Sequence, residues 1–381
     1  MRVLYVALDQ MVPGTHGGSV HVRAVAEGLT ALGHEVHVAT RPGGGWPAGA
    51  VHWHAMGPPL GRQHLRWLRA GAITDLARQV GADLIMERYY NFGGEGVFAA
   101  RRLGVPAVLE VNAPVIDYPG SGKARLDRAL LLEPMRRWRD RICRHVDLFV
   151  TTTADILPPW VERRRVLEIE WGADVDHFRP DVTGPLPFTR DPERILCVFA
   201  GAFRSWHGVV HLAAALSRLH HAGDRRFGAI LIGDGPERAA AQRAARDLPG
   251  VIFTGALPHA MLPAALAAAD IGVAPFDPMR HAPLRLGFYW SPLKIFEYMA
   301  VGLPVVAPAL PRLRRLVEHK REGLLYAPRD PRELDRAIAA LGDATLRRRM
   351  GAAARERVVR NFSWRAHCVV LEKRLRAVRR R

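Results

Sequence analysis

The feature that most constrains this chain is an alternation. Short runs of Val, Ile and Leu are separated, from the first residues onward, by longer segments with helical periodicity, the signature of strand-helix-strand units and a parallel sheet. In the first half the predicted strands are Val3 to Leu8, Glu35 to Thr40, Leu84 to Glu87, Ala107 to Val111 and Leu148 to Thr151. A second set follows: Ile195 to Ala200, Ala229 to Ile232, Val251 to Thr254, Ile271 to Ala274 and Val305 to Ala307. Two such sets predict an α/β protein of two Rossmann-like, doubly wound parallel-sheet domains facing each other across a cleft, where open α/β folds usually hold ligands.

Between the sets, Trp171 to Arg190 carries three prolines, two glycines and no helical period, which reads as a linker. The expected division is a first domain over 1–180, a linker over 181–192, a second domain over 193–360 and a terminal helix over 361–381. The length of 381 residues suits two domains.

In that terminal helix Ser363 can serve as a cap, and Trp364, Cys368, Leu371, Leu375 and Val378 form one apolar stripe with arginines around it. Charge is concentrated in the C-terminal tail. The whole chain carries a formal +18, yet residues 345–381 hold 13 basic and 2 acidic side chains, whereas residues 1–189 hold 22 and 20. Either this is a solvated arginine-rich face or it is a patch for an anionic surface.

The three cysteines, Cys143, Cys197 and Cys368, lack both disulfide and metal-ligand spacing, which suggests a reducing cytoplasm and no metal site. The start, MRVLYVALDQ, is too short in its apolar run for a signal peptide, and no stretch approaches the roughly 20 apolar residues of a membrane span. A nucleic-acid binder is favoured only by the basic balance, since no helix-turn-helix, zinc finger or stacking platform is present in the sequence.

Three segments carry candidate chemistry. Gly17 and Gly18 precede a helix whose first amides can face a phosphate, though a glycine pair at a strand-to-helix turn is often a turn alone. Glu110 and Asn112 stand where the strand VLEVNAP runs into a loop, the usual place for catalytic side chains in this architecture; alternatively, Glu110 pairs with a nearby arginine. Glu87 and Arg88 end the preceding strand and read as a possible pair of their own.

The third segment, GFYWSPLKIFEYMAVGLPVVAP, is the most informative. Ser291 is a good N-cap, Pro292 suits a first helical turn with Leu293 beside it, and Gly302 with Pro304 ends the helix. Ser291, Lys294 and Glu297 fall three apart and share a face, so the helix start and Lys294 can hold a diphosphate while Glu297 accepts from ribose hydroxyls. A plain surface ion pair between Lys294 and Glu297 is the alternative. Arg204 and His207 in GAFRSWHG, and Gly233, Asp234 and Gly235 in GDGPE, follow strands of the second set and are further candidates for the same ligand.

In order, GGSVHVRAVAEGL, ERYYNFGG, VLEVNAP, GADVDHFRP, GAFRSWHG, GDGPER, SPLKIFEYMAVGLPVVAP and EGLLYAPRDP resemble family 4 of the retaining glycosyltransferases over nearly the whole chain. The resemblance implies the GT-B architecture, a nucleotide-sugar donor (UDP- or GDP-linked) held mainly by the second domain, transfer with retention and without a metal or other cofactor, and a terminal helix that crosses back to the first domain. It matches Gly17 and Gly18 to the glycine loop near diphosphate and acceptor, and Glu297 to the second Glu of the Glu-x7-Glu motif. Three positions depart from the pattern: Tyr289 stands where the first Glu usually contacts the sugar, His207 where Lys is frequent, and Asn112 where His is frequent. A related enzyme such as a sugar-nucleotide epimerase shares these features and remains the alternative, with the acceptor a glycan, a lipid-linked saccharide or a small molecule. Contact with the inner face of a membrane through the basic helix is a further expectation.

Overall fold

The computed structural model describes residues 1–14, 16–131 and 133–379, which divide into two compact units. The first comprises Met1–Trp171, Tyr289–Ser291 and the terminal segment from Trp364; the second comprises Gly172–Phe288 and Pro292–Ser363.

Within the first unit seven parallel strands form one sheet: β1 (Arg2–Val12), β2 (Glu35–Pro42), β3 (His52–Ala55), β4 (Leu84–Arg88), β5 (Ala107–Val111), β6 (Leu148–Thr151) and β7 (Val166–Glu168), in the order β3-β2-β1-β4-β5-β6-β7. The second unit has six: β8 (Ile195–Ala200), β9 (Phe227–Ile232), β10 (Val251–Gly255), β11 (Ile271–Val273), β12 (Val305–Pro308) and β13 (Gly323–Tyr326), in the order β10-β9-β8-β11-β12-β13. Strand order therefore reverses between β1 and β4 in one sheet and between β8 and β11 in the other. At such a reversal, helices leave the carboxyl ends on opposite faces and open a crevice for ligands.

All ten expected strands are present, and three more were missed for physical reasons. The β3 sequence, HWHA, has no aliphatic run, and β7 is three residues behind Arg163–Arg165. The start of β13, Gly323, reads as a turn, yet a Cβ there would sit 2.0 Å from the Val305 carbonyl oxygen, so glycine lets this strand pack beside β12.

The unit boundary also falls earlier than the expected linker. Residues 172–192 belong to the second unit: Ala173 N donates to Phe362 O at 2.7 Å, Phe178 is buried, and Arg355 Nη1 donates to the carbonyls of Val175 and Phe178 at 3.0 and 2.9 Å. Proline and glycine removed the periodicity but not the packing. At the other end, the Trp364–Arg379 helix buries His367, Cys368, Leu371 and Leu375, with Leu371 and Leu375 in the core of the first unit. It lies against the Gly17–Ala31 helix, where a Cβ on Gly28 would meet Cys368 Sγ at 2.4 Å.

Candidate functional site

In the second unit the Leu293–Ala300 helix carries Lys294 and Glu297 one turn apart on one face. Lys294 Nζ lies 3.9 Å from the centre of the Phe199 ring and 5.3 Å from that of Phe276. The nitrogen is shielded from solvent and has no hydrogen-bond partner among the described residues. Burial lowers its pKa to about 7, against the pull of Glu297, and burial raises Glu297 to about 7 against the pull of Lys294. An ammonium in this state is short of acceptors, and a bound anion would supply them.

Around it, the ends of β8 and β9 are zipped together through glycine. Phe203 N donates to Asp234 O at 2.8 Å and Glu237 N to Phe203 O at 3.0 Å. A Cβ on Gly233 would lie 2.0 Å from Gly201 O and one on Gly235 2.8 Å from Phe203 O, and both residues have positive φ, so no other residue fits. The Asp234 carboxylate accepts from Gly235 N and Arg238 Nη1, each at 2.7 Å, and so holds the turn.

His207 Nδ1 lies 2.7 Å from the Ala202 carbonyl oxygen; burial, then Lys294, lowers its pKa to about 4, so the ring is neutral at pH 7. Arg204 is exposed, its guanidinium 5.8 Å from the Trp206 ring centre. Lys294, His207 and Gly201 thus gather at the carboxyl end of β8, beside the strand-order reversal: a Cβ on Gly201 would lie 3.1 Å from Lys294 Nζ.

Ser291 departs from its expected role. The helix begins at Leu293 with Pro292 as the residue before it, and no side chain caps it. Ser291 Oγ instead accepts from Trp171 N at 2.9 Å and donates to Glu170 at 3.1 Å. Pro292, with ψ of 78°, turns the chain away before the first helical turn, which carries Ser291 out of capping range and leaves the helix start open. Tyr289, also in the first unit, is buried, and its carbonyl accepts from Thr152 Oγ1.

In the first unit, Glu110 is the hub of a buried polar cluster. Its carboxylate accepts from Arg88 Nη1 at 3.0 Å, from the Tyr5 hydroxyl and from Asn112 Nδ2, and His21 Nε2 lies 2.8 Å away. Burial alone would raise its pKa, but His21, Arg88 and Tyr5 together hold it well below the usual carboxylate range. Asn112 Oδ1 in turn accepts from Trp171 Nε1 at 3.1 Å, and the Trp171 ring stacks on His21 with centroids 4.3 Å apart. His21 Nδ1, buried, has no partner among the described residues.

Glu87 and Arg88 do not pair. Adjacent strand residues point to opposite faces, so Arg88 reaches Glu110 and, at 3.1 Å, Asp9, while Glu87 accepts the amides of Gly94, Gly96 and Val97 at the start of the Glu95–Leu103 helix. Gly17 and Gly18 form the uncapped first turn of the helix after β1, with the Ser19 and Val20 amides already bonded to His16 O.

Sequence reading thus found Glu110 and Asn112 but not His21, which shares their cluster. The available signal was a histidine among the apolar residues of the buried helix face that also holds Val22, Val25 and Leu29.

Comparison with known proteins gives this geometry a context. Residues 194–343 match the family described as glycosyl transferases group 1, and residues 16–158 match the glycosyl transferase 4-like domain. A GDP-mannose-dependent alpha-mannosyltransferase of Mycolicibacterium smegmatis is 28% identical over 94% of this chain and 93% of its own. A 2-deoxystreptamine glucosyltransferase of Streptomyces kanamyceticus is 28% identical over 73% of each chain. Among solved structures, the sucrose-phosphate synthase of Thermosynechococcus elongatus superposes with a TM-score of 0.72 at 21% identity, covering 99% of this chain and 98% of that one. Anabaena HepE, in complex with UDP, gives 0.68 at 17% identity over 99% and 100%.

Proposed function

We propose that this chain, which belongs to the family 4, group 1 glycosyltransferases and has their GT-B fold, transfers a hexose from a GDP- or UDP-linked donor with retention of anomeric configuration and without a catalytic metal. It is a nucleotide-sugar-dependent glycosyltransferase by family. The observation that carries the finer reading is the shielded, unpartnered Lys294 ammonium beside Glu297 at the open start of a helix.

In this reading the donor diphosphate accepts from Lys294 and from the first amides of the Leu293–Ala300 helix, which stabilise the charge that develops on the leaving group. That is the work a divalent cation performs in other transferases. Glu297 accepts from the ribose hydroxyls. Neutral His207 and the Gly201 to Phe203 backbone line the same position, and Arg204 supplies a further cation. In the first unit, Glu110 and Asn112 hold His21 and Trp171 in place for the acceptor, and Gly17 and Gly18 open a helix start toward an anion.

GDP-mannose is the first donor to test, because similarity to the mycobacterial mannosyltransferases spans nearly the whole of both chains. A thermal-shift screen across GDP- and UDP-sugars tests the reading: a ligand at about 100 times its dissociation constant stabilises by about 2.7 kcal/mol. No shift with any nucleotide sugar would overturn it.

We also propose reversible attachment to an anionic membrane surface through the terminal basic helix, supported by the seven basic and one acidic side chains of residues 361–381. Among the described residues no helix is long and apolar enough to cross a membrane.

A further inference from the structure

At the opposite end of the first sheet from its candidate chemistry, the edge strand β3 and its neighbour β2 bring together four polar side chains on one face. Parallel register sets His37 opposite His52 and Ala39 opposite His54. Alternation then puts Glu35 and His37 of β2, and His52 and His54 of β3, on the same side, away from Val36 and Val38 in the core. One oxygen or nitrogen each of Glu35, His37 and His52 falls within 4.8 Å of the others.

From this grid we infer a binding site for a divalent transition-metal ion, formed by Glu35, His37 and His52. His37 Nε2 and Glu35 Oε1 are 3.1 Å apart, close to the separation of about 3.3 Å that two ligands adopt when each lies about 2.0–2.1 Å from a tetrahedral zinc ion. His37 Nδ1 lies 3.0 Å from His54 Nε2, which fixes the ring and directs the other nitrogen to the ligand position, as hydrogen-bonded partners of ligand histidines do. The His52 ring stacks on His37 with centroids 4.6 Å apart, and His52 and Glu35 are exposed, so an ion reaches the site from solvent. Imidazole with one carboxylate selects zinc, cobalt or nickel over magnesium or calcium, and three protein ligands leave a position for water.

Arg2 is the nearby competing cation, with Nε 3.4 Å from Glu35 Oε2 and Nη1 donating to Gly81 O at 3.3 Å, and an ion bound at Glu35 displaces that exposed ion pair. The site lies at the amino end of β2, whereas Glu110 and Arg88 close the carboxyl ends of β5 and β4. Its effect is therefore to clip the edge strand β3 to β2 rather than to take part in transfer. Cysteine spacing carries no signal for such a site, because its ligands are two histidines and a carboxylate from two strands.

The test is titration of the full-length protein with cobalt(II), read by visible absorption, and with zinc, read by calorimetry and melting temperature. The expected result is one ion per chain with tetrahedral cobalt bands and a rise in melting temperature. Both are lost, with affinity at least about tenfold weaker, in Glu35→Ala/His52→Ala, whose transfer activity without metal matches the parent. Unchanged cobalt bands and affinity in that variant, or no binding by the parent, would overturn the proposal.

Discussion

The Lys294 ammonium sits 3.9 Å from the centre of the Phe199 ring, and among the described residues it has no hydrogen-bond partner. A ring quadrupole offsets part of the desolvation of a buried cation but does not replace lost hydrogen bonds. Stability is thus given up locally for a donor held ready. Lys294→Met should raise the melting temperature of the ligand-free protein, by the equivalent of about 1 kcal/mol, while kcat/KM falls by about 10²–10³-fold. A variant that is both less stable and fully active would remove Lys294 from the site.

Proton exchange on donor binding should change sign with pH. With Lys294 and Glu297 both near 7, at about pH 8 the lysine is largely neutral and a diphosphate that raises its pKa draws a proton from buffer. At about pH 6 the lysine is already charged, whereas Glu297 is largely protonated and loses a proton when ribose hydroxyls favour its carboxylate. Calorimetry of the intact donor in buffers of different ionisation enthalpy should show uptake above neutrality and release below it, and Glu297→Gln should abolish the release. Exchange of one sign across the whole range contradicts the assignment.

Glu110 is tested by stability before activity. Its carboxylate balances Arg88 and faces His21 in a site with almost no solvent access, so Glu110→Ala leaves a buried guanidinium with Asp9 as its remaining ion-pair partner. Urea unfolding should show a loss of about 3–5 kcal/mol. Glu110→Gln, which keeps an acceptor for the Tyr5 hydroxyl, should lose less. Equal stability of all three proteins would show that the cluster is not the anchor its geometry describes.

How much of this was legible beforehand divides along a physical line. Strands such as Ile195–Ala200 and helix stops such as Gly302 are local, written in neighbouring residues, and were read. Lys294 and Glu297 were read because their spacing of three already states a shared helical face. His21 was not, and Arg88 was matched to Glu87 although a pairing of Glu110 with a nearby arginine was itself legible and is borne out: the meaning of both residues lies in Glu110, 89 and 22 residues away along the chain, and only the fold brings them together. Ser291 failed for the opposite reason: its local pattern says N-cap, and the hydrogen bonds to Trp171 and Glu170, over 100 residues away, prevail over it.

If Lys294 and helix amides carry the charge of the leaving diphosphate, transfer should proceed in EDTA at an unchanged rate at temperatures well below unfolding, and the product anomer should be that of the donor. Nuclear magnetic resonance of the product reads both. Activity that vanishes in chelator and returns with magnesium or manganese, or an inverted product, overturns the metal-independent retaining assignment.

Attachment to an anionic surface now has a narrower basis than the bare arginine count. The apolar stripe Leu371 and Leu375 is buried in the protein's own core, Arg376 pairs with Glu372 at 2.7 Å, Arg379 pairs with Asp83 at 3.0 Å, and Arg380 and Arg381 lie outside the described residues. Besides these ion-paired arginines, which are themselves exposed, the helix presents Arg365 and Lys373 outward, with Val369 and Val370 each 46% exposed between them. Basic residues near an anionic surface contribute about 1 kcal/mol each, and the attraction fades with salt because the Debye length is about 8 Å at physiological ionic strength. Co-sedimentation with phosphatidylglycerol vesicles should therefore exceed that with neutral vesicles at low salt and fall at physiological salt. Arg365→Ser/Lys373→Ser should reduce binding about tenfold or more, since removing roughly 2 kcal/mol corresponds to a factor of that order. Equal recovery on both lipids, or binding indifferent to these two residues, would leave the helix as packing for the first unit alone.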